Sequence, residues 1–222
     1  MVNVDTVYQR VLAIANKEQR GYITPLEFNL LANQAQLTIF ENYFAELDQA
    51  SMLPGNDKLY SDILNILEDK LVVFHSQYGL FGVDNNYSLP TTHYRTIQIL
   101  TNYGVEAEKT TFRNAQNALK SPLTAPTKSR PIYYFKGPNI HLLPEAINAD
   151  DSIDGTLHYY RKPNTVNWGY IVTNEQALYN ASASTNFELH ASDEIVLVVK
   201  ILELAGITIQ KEDLKTVGQQ QA

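Results

Sequence analysis

Arg130-Pro131-Ile132-Tyr133-Tyr134, Ile140-His141-Leu142-Leu143-Pro144 and Tyr159-Tyr160-Arg161-Lys162-Pro163 decide how this chain folds. Tyr87-Ser88-Leu89-Pro90 opens this proline-punctuated series and Asn167-Trp168-Gly169-Tyr170 closes it. Short apolar runs rich in aromatic and β-branched residues, bounded by proline and glycine, read as strands. Ile132 to Phe135, Ile140 to Leu143 and Thr156 to Arg161 are therefore predicted strands, as is Tyr94 to Thr101 upstream of them. Leu71 to Phe74 and Tyr78 to Gly82 read as strand or extended chain. Phe112 to Leu119 suits a short helix, and Ser121-Pro122 to Arg130-Pro131 a proline-rich loop. The strands Ile140 to Leu143 and Thr156 to Arg161 are candidates for a hairpin across 150–155, which would set His141 opposite His158.

Outward from this β-rich stretch the period changes to that of helices. Val4, Val7, Tyr8, Val11, Leu12 and Ala15 recur at helical spacing, with Asn3 or Asp5 available as a cap and Gly21 as a stop. Thr24-Pro25-Leu26-Glu27 carries a capping box with proline at the first helical position, predicting a helix to about Ala50. That helix has two apolar stripes. Leu26, Leu30, Leu37, Phe40, Phe44 and Leu47 form one; Phe28, Leu31, Ala35 and Ile39 form the other, and two stripes call for two packing partners. After the turn Pro54-Gly55-Asn56-Asp57, a third helix presents Leu59, Ile63, Leu64, Ile66 and Leu67. Asn174 to Asn186 is polar and reads as an exposed loop. Ser192-Asp193-Glu194 opens a final helix whose body, Ile195 to Ala205, is apolar nearly all round and predicted to be buried, with Gly206 as its stop.

The expected fold is α+β, an N-terminal helical hairpin or bundle with a C-terminal helix framing a β-rich module. Its expected parts are a helical part over 1–70, the module over 71–190, a C-terminal helix over 191–209 that rejoins the helical part, and a mobile tail over 210–222. The whole is one structural domain.

Composition narrows the function. The 222 residues are 44% hydrophobic, enough for a sizeable core. The mean hydropathy is −0.25 and no apolar run reaches the roughly 18 residues of a membrane span. The opening Met1-Val2-Asn3-Val4-Asp5 lacks the pattern of a secretory signal. With no cysteine, thiolate metal sites and cysteine nucleophiles are excluded. A net charge of −7 and a pI near 5.2 oppose a dedicated nucleic-acid binder and suit a wall past which DNA slides.

Chemical motifs are sparse. Asp150, Ser152, Asp154 and Gly155 resemble the first half of a calcium-binding loop, but Arg161 stands where the bidentate glutamate belongs. His75, His93, His141, His158 and His190 show no metal-ligand spacing. No nucleophile elbow, P-loop or dinucleotide fingerprint occurs, so catalysis, cofactor and metal are not expected. Tyr159, Tyr160, Trp168 and Tyr170, with Arg161 and Lys162, have the residue types of a base-stacking platform, of a sheet core or of a protein interface.

The order of these phrases resembles the head-to-tail connector, or ring, proteins of short-tailed bacteriophages, and most closely the ring proteins of crAss-like phages that infect gut bacteria. The phrases are Tyr22-Ile23-Thr24-Pro25-Leu26-Glu27-Phe28-Asn29, Tyr87-Ser88-Leu89-Pro90, Pro126 to Tyr133, Ile140 to Pro144, Tyr160-Arg161-Lys162-Pro163 with Trp168-Gly169-Tyr170, and Phe187-Glu188-Leu189-His190. The likeness runs from about residue 4 to residue 209. It implies a virion protein of the neck or tail, made in the host cytoplasm. It would form a twelve-fold ring that meets the portal and other tail proteins and passes genomic DNA through its lumen. Phe28, Leu31, Ile39, Phe40 and Phe44 are then candidates for the subunit interface. Pro122, Pro126, Arg130, Trp168, Tyr170 and Tyr179 are candidates for contact with neighbouring rings. The competing readings are a carbohydrate-binding or adhesive tail module and a hydrolase using loop carboxylates.

Overall fold

The strands and helices of an α+β fold follow these patterns closely in the computed structural model, which describes residues 1–17, 23–52, 58–81, 86–144, 155–173 and 176–206. The chain divides into two compact units, one from Met1–Val73 with Pro163 onward, the other Phe74–Lys162. Against the expected single module over 71–190, residues 163–190 belong with the helices.

In the helical unit, α1 (Val4–Lys17), α2 (Pro25–Met52), α3 (Lys58–Leu71) and α5 (Glu194–Leu204) pack together, α5 against both α1 and α2. Asn3 caps α1, its Oδ1 accepting from the backbone N–H groups of Asp5 at 2.8 Å and Thr6 at 3.1 Å. The capping box of α2 forms as its sequence requires: Thr24 N–H donates to Glu27 Oε2 at 3.0 Å, and Glu27 N–H to Thr24 Oγ1 at 3.3 Å. The core is built from Val7, Tyr8 and Val11 of α1, Phe28, Ala32, Ala35, Ile39, Phe40 and Phe44 of α2, and Leu197, Val198, Ile201 and Leu202 of α5.

Two expectations fail here. Leu71 to Phe74 is not a strand: Leu71 ends α3 and Val72–Phe74 form a 3-10 turn. Leu71 and Phe74 are buried while Val72 and Val73 are exposed, so helical spacing outlasts the β-branched pair. α5 is not buried all round either. Ile195, Val196 and Val199 face solvent, Ile195 at 70% exposure, because α1 and α2 cover only one side. Gly206 closes the helix with φ of 73°.

The described residues of the second unit form two sheets. In the first, β7 (Gly155–Arg161) lies between β1 (His75–Leu80) and β3 (His93–Thr101), antiparallel to both. The second has the order β2 (Asn86–Ser88), β6 (Asn139–Leu143), β5 (Ile132–Lys136) and β4 (Glu108–Lys109), with only β4 and β5 parallel. The expected hairpin of 140–143 with 156–161 is thus replaced by two separate pairings. The alternation of side chains along β5 and β6 explains the packing. Tyr133, Ile140 and Leu142 join Leu80, Ile99, Leu157 and Tyr159 in one core. Tyr134 and Leu143, on the opposite face, meet Ala115 of α4 (Phe112–Lys120). β5 turns into β6 across Gly137-Pro138, with Gly137 at φ of 62°, the glycine-first order of a type II′ hairpin.

Pro54 to Asp57, residues 145–154 with the calcium-loop likeness, Gly21 and the tail from 207 lie outside the described residues.

Candidate assembly surface

α2 carries a polar stripe that its apolar pattern conceals. Asn29, Asn33 and Gln36 sit on one side of the helix and hydrogen-bond the extended segment 164–168 as a neighbouring strand would. Val166 N–H donates to Asn33 Oδ1 at 2.8 Å, and Asn33 Nδ2 donates back to Val166 O at 2.8 Å. Trp168 N–H donates to Asn29 Oδ1 at 2.7 Å, and Gln36 Nε2 to Asn164 O at 2.9 Å. Asn164 donates twice to Glu188, at 2.8 and 2.9 Å. The side-chain amides thus satisfy backbone groups of an extended segment and fix its register on the helix.

That segment delivers Trp168, which is only 2% exposed. Its ring lies 4.3 Å from that of Tyr8, and its Nε1–H donates to Asp5 Oδ1 at 2.9 Å. The chain then leaves as β8 (Tyr170–Thr173) and returns as β9 (Gln176–Tyr179), a two-stranded antiparallel ribbon. Within the predicted polar loop over 174–186, residues 176–179 form a strand, where Tyr179 pairs with Tyr170 and Leu178 with Ile171. Tyr170 and Tyr179 both lie against Trp168, each with its ring 5.8 Å away, and anchor the ribbon base.

Beyond that base the ribbon is open. Ile171, Val172 and Leu178 are 56, 65 and 52% exposed, with Ile171 and Leu178 on one face and Val172 on the other. None of the described residues of β8 and β9 is charged. An uncharged edge with apolar side chains on both faces is what proteins blunt when it has no partner.

Gly169, at the turn into β8, tolerates no side chain. A Cβ there would lie 2.6 Å from the backbone C and O of Ala183. Gly169→Ala is expected to lower stability by about 2 kcal/mol by forcing these backbones apart. A urea midpoint followed by the emission of Trp168 measures this; an unchanged midpoint would mean that the Ala181–Ala183 turn yields at no cost.

The structure separates the residues singled out from sequence. Phe28, Ile39, Phe40 and Phe44 are buried within the chain's own core and leave only Leu31, half-buried, of the proposed interface set. Trp168 and Pro126 are buried too, so neither offers a contact surface; Pro122, Arg130, Tyr170 and Tyr179 are exposed. His141 does not face His158: it stacks on Tyr134 in the second sheet. Ile171, Val172 and Leu178 escaped sequence reasoning, although their alternation with Tyr170 and Tyr179 was available as a signal. Leu26 and Leu30 of α2, each 67% exposed, add to the open apolar surface of the helical unit.

No family model and no curated protein matches this chain. Among the described residues no group of three His, Cys, Asp or Glu side chains is placed to hold an ion, and no helix is long and apolar enough to cross a membrane. A groove of about 420 Å³ opens between β3 and β4, lined in part by Glu106, Glu108, Lys109 and Tyr133. Burial, and then the charge of Glu106, raises the pKa of the Tyr133 hydroxyl above its usual range, and both glutamates are solvent-exposed.

Proposed function

We propose that this chain is a structural protein of a tailed-phage virion. It closes into a ring at the junction of portal and tail, with no catalytic role. The observation that carries the reading is the β8–β9 ribbon, rooted on a buried tryptophan yet bare and apolar on both faces. Closed rings need heterologous contacts, in which one patch of each subunit meets a different patch of the next. The ribbon supplies one patch. The outer side of α5, with Ile195, Val196 and Val199, supplies a second of matching chemistry. An interface of this kind is stable once it buries at least about 1,000 Å². The net charge of −7 keeps DNA from adhering to the lumen.

Electron cryo-microscopy of particles containing the chain tests this reading, with a twelve-fold ring at the neck as the expected density. Absence of the chain from the neck overturns the ring; a glycan bound by the monomer would then favour the adhesive module. The ribbon contact has its own test in the double variant Ile171→Asp, Leu178→Asp. Its circular dichroism should match the parent's, since both side chains are exposed, while the yield of tailed particles falls at least about tenfold, the effect of placing unpaired charge in an apolar contact. A parental yield would remove the ribbon from the interface.

A further inference from the structure

The first sheet of the other unit brings together two histidines that lie 83 positions apart in sequence. Register sets Gln77 opposite His158 and His75 opposite Tyr160, so His75 and His158 are diagonal neighbours on one face of the β1–β7 pair. His158 Nδ1 and His75 Nε2 are 3.3 Å apart, and the rings are close to parallel at 19°. Two nitrogens bound to one tetrahedral ion at about 2.0–2.1 Å are themselves about 3.3–3.4 Å apart. The spacing of the pair therefore matches the bite of a chelate.

We propose that His75 and His158 form a surface chelate for a divalent transition-metal ion of the zinc, nickel and copper class. Without metal, the two imidazoles share one hydrogen bond, one ring donating and the other accepting. On binding, the donor ring passes to its other neutral tautomer, its proton moving to the nitrogen that faces away. A rotation of the rings then turns both lone pairs onto the ion, and no net proton is exchanged at a pH where both rings are neutral. His75 is exposed and His158 half-buried, so an ion reaches them without opening the sheet.

Gln98 of β3 and Gln77 of β1 are both in register with His158, on its face of the sheet; water completes the coordination. Arg95, opposite Tyr160 on the same face, is a diagonal neighbour of His158 from the other side, so its charge opposes a bound cation and lowers the affinity below that of an isolated histidine pair. Imidazole nitrogen donors with few oxygens select transition ions over magnesium and calcium, with copper held most tightly.

Calorimetric titration of the full chain, free of any affinity tag, with copper, nickel, zinc and magnesium chlorides tests the site. One copper, nickel or zinc ion should bind per chain, and magnesium should not. His75→Gln and His158→Gln should each lower the affinity at least about tenfold, and His190→Gln should leave it unchanged. Circular dichroism confirms that the variants fold, and the exposed His75→Gln suffices should His158→Gln disturb the sheet. Absence of binding by all three transition ions, or unchanged affinity in His75→Gln, overturns the proposal.

Discussion

Trp168→Ala should lower the stability of the helical unit by about 4 kcal/mol, the cost of emptying a buried indole site. The ring is 2% exposed and touches Tyr8 on one side and Tyr170 and Tyr179 on the other. Its loss removes the aromatic support that Tyr170 and Tyr179 rest on, and a two-stranded ribbon is marginal without support. Its Nε1–H also ties residue 168 to Asp5, in the first turn of α1. Trp168→Phe keeps most of the buried ring but not that hydrogen bond, so a smaller loss of about 1.5 kcal/mol is expected. Urea denaturation followed by far-ultraviolet circular dichroism measures both variants. The chain has one tryptophan, so in the parent its emission reports on the helical unit by itself. If Trp168→Ala melts like the parent, the indole is not the anchor of the ribbon.

Local signals in the sequence recovered the elements better than their partnerships. Thr24, Pro25 and Glu27 mark the start of α2 because capping is decided within four residues. Ile132 to Phe135 and Ile140 to Leu143 are strands as expected, since alternation is also local. The pairing of strands is not. β7 joins β1 and β3, strands distant in sequence, and nothing in Thr156 to Arg161 specifies those neighbours. For the same reason the pairing of His75 with His158 had no trace in their spacing.

The candidate surface was legible in part. Tyr170 and Tyr179 have the residue type of contact residues and are exposed, whereas Trp168 between them is covered by Tyr8. An apolar stripe states that a surface seeks cover; it does not state whether the cover comes from the same chain. Phe28, Ile39, Phe40 and Phe44 find theirs within the chain, while Leu26 and Leu30 of the same helix do not. The amides Asn29, Asn33 and Gln36 were invisible because a polar side chain on a helix ordinarily faces water. Their partners, the backbone groups of 164–168, are more than 120 residues away.

Asp193→Ala should cost about 3 kcal/mol at neutral pH, because it strands two donors at once. Tyr43 Oη–H of α2 donates to Asp193 Oδ2 at 2.7 Å, and Lys70 Nζ of α3 donates to Asp193 Oδ1 at 2.8 Å, with the ammonium also 5.3 Å from the centre of the Tyr43 ring. The Asp193 and Lys70 side chains are 10 and 19% exposed, so water replaces little of what the carboxylate supplies. One carboxylate thereby ties three helices at the entry to α5, which is why it lies there without a capping hydrogen bond of its own. The same cluster has a pH signature. Burial first, then the hydrogen bond to Asp193 and the charges of Asp193 and Glu46, hold the Tyr43 hydroxyl far above its ordinary pKa of 10.0. Above that pH the unfolded chain releases the tyrosine proton and the folded chain keeps it, so stability is full below about pH 10 and falls as the pH rises. Tyr133 acts in the same direction in the other unit. Tyr43→Phe should therefore lower stability by about 1.5 kcal/mol at neutral pH yet make the alkaline decline shallower, leaving the part due to Tyr133. Urea midpoints of the parent and of Tyr43→Phe, measured from pH 7 upward, separate the two effects. An alkaline decline equally steep in both would show that Tyr43 ionises as freely in the folded protein as in the unfolded chain.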